Sequence, residues 1–483
     1  MVLTLLRLHY ARGERKALLG NAQLCLKRGG DEREDRETNI SCESALILLS
    51  LAIDVKNDIV MTAIVGILNK QAVAVAADSA VTVGGGTKIY NTANKIFNLS
   101  KGCPVGIAIY GNAALNSCVP WEVVIKMYRK HIGSNKFATL SEYMDDFFNY
   151  VRNYTKKYIS DEDALNVLKR NLLHFWCVEI TQGLRESDDP QSPIAKPALP
   201  ILLDKLTKLG ARLKKEKILS EYKDVTPEDF VKAIEEVLEI IKNQISANGG
   251  KWKDEFEAVV EDCLYRLSVT NNLFSRSSVS GVAIFGYGED EIYPSLHEQQ
   301  VYNMVLGRLR ISPIPDNNTI NETNGASICP MAQRDVIETF IEGVSNKIKN
   351  TFLDATATAI KKTVNDLSAV TRPHNPALAD AIKGMDYSSI IDQYRVQINS
   401  IIRRDQVVPL IQTIVSMGKE DIADLAENLI YMTSMKRHVT PYAETVGGPI
   451  DVAIISKGDG FIWEKRKHYF SPELNRTFFD TQQ

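Results

Sequence analysis

The apolar positions change period along the chain, and the changes mark its elements. Residues 63–68 and 71–77 are apolar runs rich in β-branched residues, joined by Asn69-Lys70, and they predict a hairpin. Residues 104–110 predict another strand. These runs are nearly continuous instead of alternating, so both faces of each strand are expected to be covered. From about 120 to 276 the period is helical, clearest at 121–131 and 140–158. Thr226-Pro227-Glu228-Asp229 reads as a helix start, with a hydroxyl cap, a proline in the first turn and acids at the positive end of the dipole. Val231, Ile234, Leu238, Ile241 and Ile245 then share one face of a single predicted helix. The polar, proline-containing stretch 183–200 reads as a surface loop. Strands return at 279–287 and 291–294, split by Gly288-Glu289-Asp290. Residues 312–325 read as a loop and 333–434 as helices, and a second hairpin closes at 450–464 around Gly458-Asp459-Gly460. Strands at both ends with helices between predict an α+β layered domain, not a βαβ repeat.

Composition narrows the function classes. A chain of 483 residues with 44% hydrophobic content can bury a large core. Its 57 basic and 60 acidic residues nearly cancel, leaving no charge field for a nucleic acid. The longest apolar run, 45–53, is far short of the ~20 residues of a membrane helix, so no membrane partner is expected. Seven dispersed cysteines without a C-x-x-C predict reduced thiols and a cytoplasmic protein. The seven histidines show no metal-ligand spacing, so no metal site is expected. Gly84-Gly85-Gly86-Thr87-Lys88 lacks phosphate-loop spacing and reads as a turn. Residues 1–61 have no sustained period. They read as a leader, a propeptide or sequence upstream of the native start, followed by segments 62–120, 121–276 and 277–483.

The chemistry centres on Met61-Thr62. Were Met61 the initiator, its removal would leave Thr62 first in the chain. An N-terminal threonine carries its own general base, because its α-amine titrates near neutrality beside the hydroxyl. Asp78 follows sixteen residues later within Ala77-Asp78-Ser79-Ala80-Val81-Thr82; Asn94-Lys95 and Ile109-Tyr110-Gly111-Asn112-Ala113 come next, and Gly447-Gly448 precedes the last hairpin. This ordered set resembles the proteasome β-subunit and HslV family of N-terminal nucleophile hydrolases, over 62–115 and 446–470. The resemblance implies a four-layer αββα sandwich, here with large helical insertions. It implies Thr62 as nucleophile, Lys95 and Asp78 as the charged pair beside it, and the Gly111 N–H as oxyanion donor. It also implies an apolar specificity pocket from Val81, Ala93, Phe97, Ile109 and Ala113, with Thr82 and Gly84 pairing to an extended peptide.

There are departures. Val446 stands where the family has serine before the glycine pair, and Ala443 where it has an acid. Glu444, Thr445 and Ser327 are therefore the candidates for supporting the terminal amine. The helical stretch 160–276 has no family counterpart, and no glycine precedes Thr62, which favours a start at Met61 over self-processing. The implied function is a threonine peptidase acting on peptides or unfolded proteins without a cofactor. It would work as a homo-oligomeric ring, with an AAA+ ATPase as possible partner. The rivals are an amidase on a small molecule and a catalytically silent structural or binding subunit.

Overall fold

The first apolar hairpin forms where the sequence predicts it, and one side chain explains its turn. The strands are β1 (Ile64–Asn69) and β2 (Ala72–Ala77), and every residue of both is buried. The Asn69 carboxamide oxygen accepts the N–H groups of Gln71 (2.9 Å) and Ala72 (3.2 Å), closing the turn. Its amide donates to the carbonyls of Ile414 (3.0 Å) and Met417 (2.9 Å), so this buried side chain is paired at both ends and holds a distant helix end. The structure is a computed structural model. It describes residues 62–83, 88–100, 102–181, 199–247, 251–270, 279–313, 318–440 and 446–475. Residues 1–61, Gly84, Glu444, Thr445 and nearly all of the 183–200 stretch lie outside the described residues.

Short strands follow: β3 (Val81–Val83), β4 (Lys88–Tyr90), β5 (Ile96–Asn98), β6 (Val105–Gly111), β7 (Ala114–Leu115) and β8 (Val119–Pro120). Seven α-helices occupy the next described stretch: α1 (Trp121–Ile132), α2 (Leu140–Tyr158), α3 (Asp161–Phe175), α4 (Leu199–Leu213), α5 (Pro227–Ala233), α6 (Glu235–Ala247) and α7 (Asp254–Val269). Strands β9 (Ser280–Gly286), β10 (Ser295–Val305), β11 (Arg308–Pro313), β12 (Asn318–Thr319) and β13 (Ala326–Ala332) lead into α8 (Arg334–Glu342), α9 (Asn346–Thr371), α10 (Pro376–Lys383), α11 (Ser388–Ile402), α12 (Val408–Ser416) and α13 (Lys419–His438). The hairpin β14 (Asp451–Ser456) and β15 (Gly460–Lys465) comes last. No described helix is long and apolar enough to cross a membrane.

Two sheets carry the core. One has the order β13-β1-β2-β14-β15 and the other β11-β10-β9-β6-β5, and every neighbouring pair in them is antiparallel. The chain is α+β with antiparallel sheets, as the order of elements predicts. Alternation sorts the side chains. Val65, Ile67, Ala74 and Ala76 pack with Ile422, Ala426 and Leu429 of α13. The alternate residues Ile64, Leu68, Val73 and Val75 pack with Ala108, Ala283, Phe285 and Leu296 of the second sheet. Val105, Ile107, Val282 and Ile284 of that sheet pack on their other side with Trp121, Tyr128, Phe147 and Phe148. Gly106 allows the close approach between sheets, since a Cβ there would lie 2.5 Å from the Phe285 ring and 3.1 Å from Ile455. Helices α4 to α7 build a core of their own around Leu206, Phe230, Ile241 and Val260, joined by Trp176 and Val305.

Three expectations need correction. The single helix over 231–245 is two, because α5 ends at Ile234, whose N–H still bonds Phe230 O (3.1 Å) before α6 begins. The strand predicted at 291–294 is a bend. There Glu291 spends its carboxylate on the N–H groups of Gly288 (2.6 Å) and Leu140 (3.1 Å), and β10 starts only at Ser295. The loop predicted at 312–325 holds the end of β11 and all of β12, and β13 follows it; its Pro330 is tolerated because β13 is an edge strand.

Phe285 fills the space between the sheets and is fully buried. Phe285→Ala is expected to cost about 3–5 kcal/mol of stability, read as a lower midpoint in denaturant unfolding. A loss under 1 kcal/mol would show that the sheets do not meet there.

Candidate active site

Asp78 leaves the end of β2, and its carboxylate gathers four donors from separate parts of the chain. Oδ1 accepts the Ala63 N–H (2.9 Å) and the Lys95 ammonium (2.6 Å). Oδ2 accepts the N–H groups of Ala80 (3.1 Å) and Gly447 (3.2 Å). Further backbone bonds fix these segments: Asp78 N–H to Ala63 O (3.1 Å), Ser79 N–H to Gly447 O (3.1 Å) and Ala93 N–H to Ser79 O (3.2 Å). Asp78 is 1% exposed and Lys95 4%, so each charge has left water and depends on the other. The Lys95 ammonium also donates to Ala80 O (2.7 Å). Burial outweighs the attraction of Asp78 and holds the Lys95 ammonium below its ordinary 10.5.

Thr62 immediately precedes the Ala63 amide and is buried. The ammonium of Lys95 and the peptide N–H that follows Thr62 therefore share one carboxylate oxygen. Gly111 ends β6 at φ +75°, and a Cβ there would meet Val279 O at 2.3 Å, so only glycine fits. In β6 the Ile109 N–H points to Lys95 O on β5, whereas the Asn112 N–H points to Val279 O on the other side. By that alternation the Gly111 N–H projects on the Lys95 side, beyond the last β5 pairing of Ile96 with Ala108. Asp78 thus draws Lys95 and the amide after Thr62 together at the end of β2, and Gly111 lies two residues beyond Ile109, whose N–H bonds Lys95 O.

The other sequence-predicted residues are placed less uniformly. Ile109 is buried and Phe97 half-buried in the cluster beneath α1 and α2, so both pack as core. Val81 and Ala93 are half-buried beside the site, and Ala113 is exposed. Thr82 lies in β3, paired with Ile89. Gly84, Glu444 and Thr445 are outside the described residues. Ser327 does not reach Thr62. It pairs with Leu68, six residues along β1, or roughly 20 Å at the rise of a strand, and its hydroxyl donates to Asn318 (2.8 Å). The part of β13 level with Ile64 is Ala332, followed by the left-handed Gln333. That strand falls between the predicted loop and the predicted helices, and its register cannot be counted from sequence. Among the described residues no group of three or more His, Cys, Asp or Glu side chains is arranged to hold a metal.

Two polar pairs near the site went unforeseen. The Tyr110 hydroxyl, beside Gly111, donates to Glu298, and its ring crosses Gly281, where a Cβ would lie 1.9 Å away. Burial, then Glu298, pushes this hydroxyl well above the usual tyrosine value. Asp451, the first residue of β14, pairs with Ala77 and accepts both the backbone N–H (2.8 Å) and the ammonium of Lys467.

Asp78→Asn removes the charge facing Lys95 and is expected to destabilise the protein by about 3–5 kcal/mol in denaturant unfolding. A second expectation concerns pH. With its folded value below 10.5, Lys95 gives up its proton in the folded chain before it does in the unfolded one. Stability attributable to Lys95 should then rise with pH through the window below 10.5. The difference between wild type and Lys95→Met, measured across that window, should grow in the wild type's favour; a flat difference would contradict it.

No protein-family model matches the chain, and no curated protein matches it. Among solved structures it is similar to an Anbu (Gly-1) mutant from Hyphomicrobium sp. strain MC1, with TM-score 0.27, 9% identity, and coverage of 87% of this chain and 94% of that one. It is likewise similar to Anbu (ancestral beta-subunit) from Yersinia bercovieri, with TM-score 0.24, 9% identity and coverage of 87% and 94%. These findings overturn the assignment to the proteasome β-subunit and HslV family: neither a family model nor a curated protein supports it, and the structural likenesses are too slight to carry it.

Proposed function

We propose that this protein is a hydrolase of amide bonds that uses Thr62 as an N-terminal nucleophile and acts on extended peptides. One observation carries the reading: the Asp78 carboxylate holds both the amide next to Thr62 and the ammonium of Lys95 on a single oxygen. A buried cation is costly, and here it is kept within a few ångströms of a hydroxyl-bearing residue. The same reading takes the two sheets, with α13 outside one and α1 and α2 outside the other, as a four-layer αββα stack.

The reaction requires that residues before Thr62 be absent, because a peptide nitrogen is not a base. With the terminus free, the Thr62 amine takes the proton from Oγ as Oγ attacks the substrate carbonyl carbon. The Lys95 charge favours the developing alkoxide. Negative charge then builds on the carbonyl oxygen, where the Gly111 N–H can donate; one such donor is worth about 3–4 kcal/mol. The amine returns its proton to the leaving nitrogen as the C–N bond breaks, leaving an ester on Thr62. Water adds to the ester, the same amine accepting its proton, and the acid product leaves with Oγ reprotonated. An extended peptide is favoured as substrate because β3 is a short strand beside the site, with β4 on one edge.

N-terminal sequencing of active material should begin at Thr62. Hydrolysis of a fluorogenic peptide with an apolar residue before the cut should fall by at least about 10³-fold in Thr62→Ala. Activity that survives this substitution, or that belongs to chains retaining Met61, would refute the proposal.

A further inference from the structure

The strand β14 and the segment after β15 bring a second ion pair up to the first. Asp451 is 2% exposed and lies directly across the ladder from Ala77, the residue before Asp78. Lys467 comes from the segment that follows β15. It returns to the same end of the sheet and grips Asp451 twice, through its backbone N–H and through its ammonium. The Lys467 side chain is 11% exposed and that of Asp451 3%, so this pair, like Lys95 and Asp78, is largely removed from water. The intervening stretch is tied to the site as well, for the Gly447 N–H binds Asp78 and the Ser79 hydroxyl donates to Pro449 O.

We propose that Asp451 and Lys467 are positioning residues of the Thr62 site, which hold opposite charges against Lys95 and set the pH range over which it stays protonated. The proposal rests on the Thr62 reading for its consequence, since the charge on Lys95 is what the hydroxyl senses. Among the described residues, three charged groups face Lys95 at this corner. Asp78 comes from the end of β2, Asp451 from β14, and Lys467 from the final segment. Arg466 lies behind Asp451, stacked 4.6 Å over Trp463, and it in turn faces Glu122 and Arg129 of α1. His468 neighbours Arg466 and Asp451. At Lys95 the Lys467 cation works with burial to favour loss of the proton, and the Asp451 anion works against it.

The opposed signs supply the test. Full-length protein labelled with ¹³C at lysine Cε is titrated by NMR, with the Lys95 resonance assigned through Lys95→Arg. Lys467→Met keeps the backbone bond to Asp451 and should raise the Lys95 midpoint by about 0.5 or more in pH. Asp451→Asn keeps an oxygen acceptor and should lower it by a similar amount. Lys467→Arg and the double variant D451N/K467M should leave it near the wild-type value. Shifts of the same sign, or no shift in either single variant, would overturn the proposal. So would loss of the fold in both, which would make the pair purely structural. This reading needs no substrate, so it stands or falls apart from the Thr62→Ala assay. Where that assay succeeds, the basic limb of kcat/KM should move with the Lys95 midpoint in each variant.

Discussion

A single buried carboxylate determines how this end of the molecule is assembled. Asp78 cannot stay in the interior without donors, and it takes them from Ala63, Ala80, Lys95 and Gly447. Those residues lie on the strand before it, its own turn, the start of β5 and the approach to β14. Two of these contacts join residues 17 and 369 positions apart. The cost of an unpaired charge therefore acts as a specification, because only one register of β1, β2 and β14 satisfies all four donors. Three of the four are backbone amides. The site thus depends on main-chain geometry, which side-chain motion cannot loosen.

The same constraint explains what could be read from sequence. Asp78 and Lys95 are singled out by the ordered set of motifs and not by local pattern, since taken singly they read as a strand-end cap and a surface charge. The first hairpin is legible because both its strands are covered on both faces, and the second because Gly458-Asp459-Gly460 marks its turn. The β10–β13 region is not. Glu298 sits in the middle of a strand, and its acceptance of the Tyr110 hydroxyl, whose ring crosses Gly281, cannot be read from spacing. Cys329-Pro330 looks like a break until β13 is seen to be an edge. Asp451 stood within a recognised strand, but its partner Lys467 lies beyond the next hairpin, and nothing in the spacing announces the return of the chain.

Ser327 shows the limit most clearly. Its residue type suits a hydroxyl beside a terminal amine, and the family resemblance offers it for that role. Register decides otherwise, since pairing with Leu68 carries it to the far end of β1. A strand position is fixed by ladder partners on other segments, and those are not local information. The helices show the converse. Thr226 caps α5 through the Asp229 N–H as its sequence indicates, because capping involves only neighbouring residues.

Glycine at 111 links the two kinds of information. Its φ of +75° and the close Val279 carbonyl exclude any side chain. Those features follow from the packing of β6 against β9, and catalysis is not needed to explain them. Yet the same turn takes the chain out of the ladder where β5 ends, and that exposes an N–H on the Lys95 side. The turn at Gly111 is flanked by the Tyr110–Glu298 contact and by the Ser280 hydroxyl, which donates to Asn112 O (2.8 Å). The backbone at Gly111 and the ammonium of Lys95 are therefore each held by contacts of the folded chain itself, one through β9 and the other through Asp78 and Ala80 O.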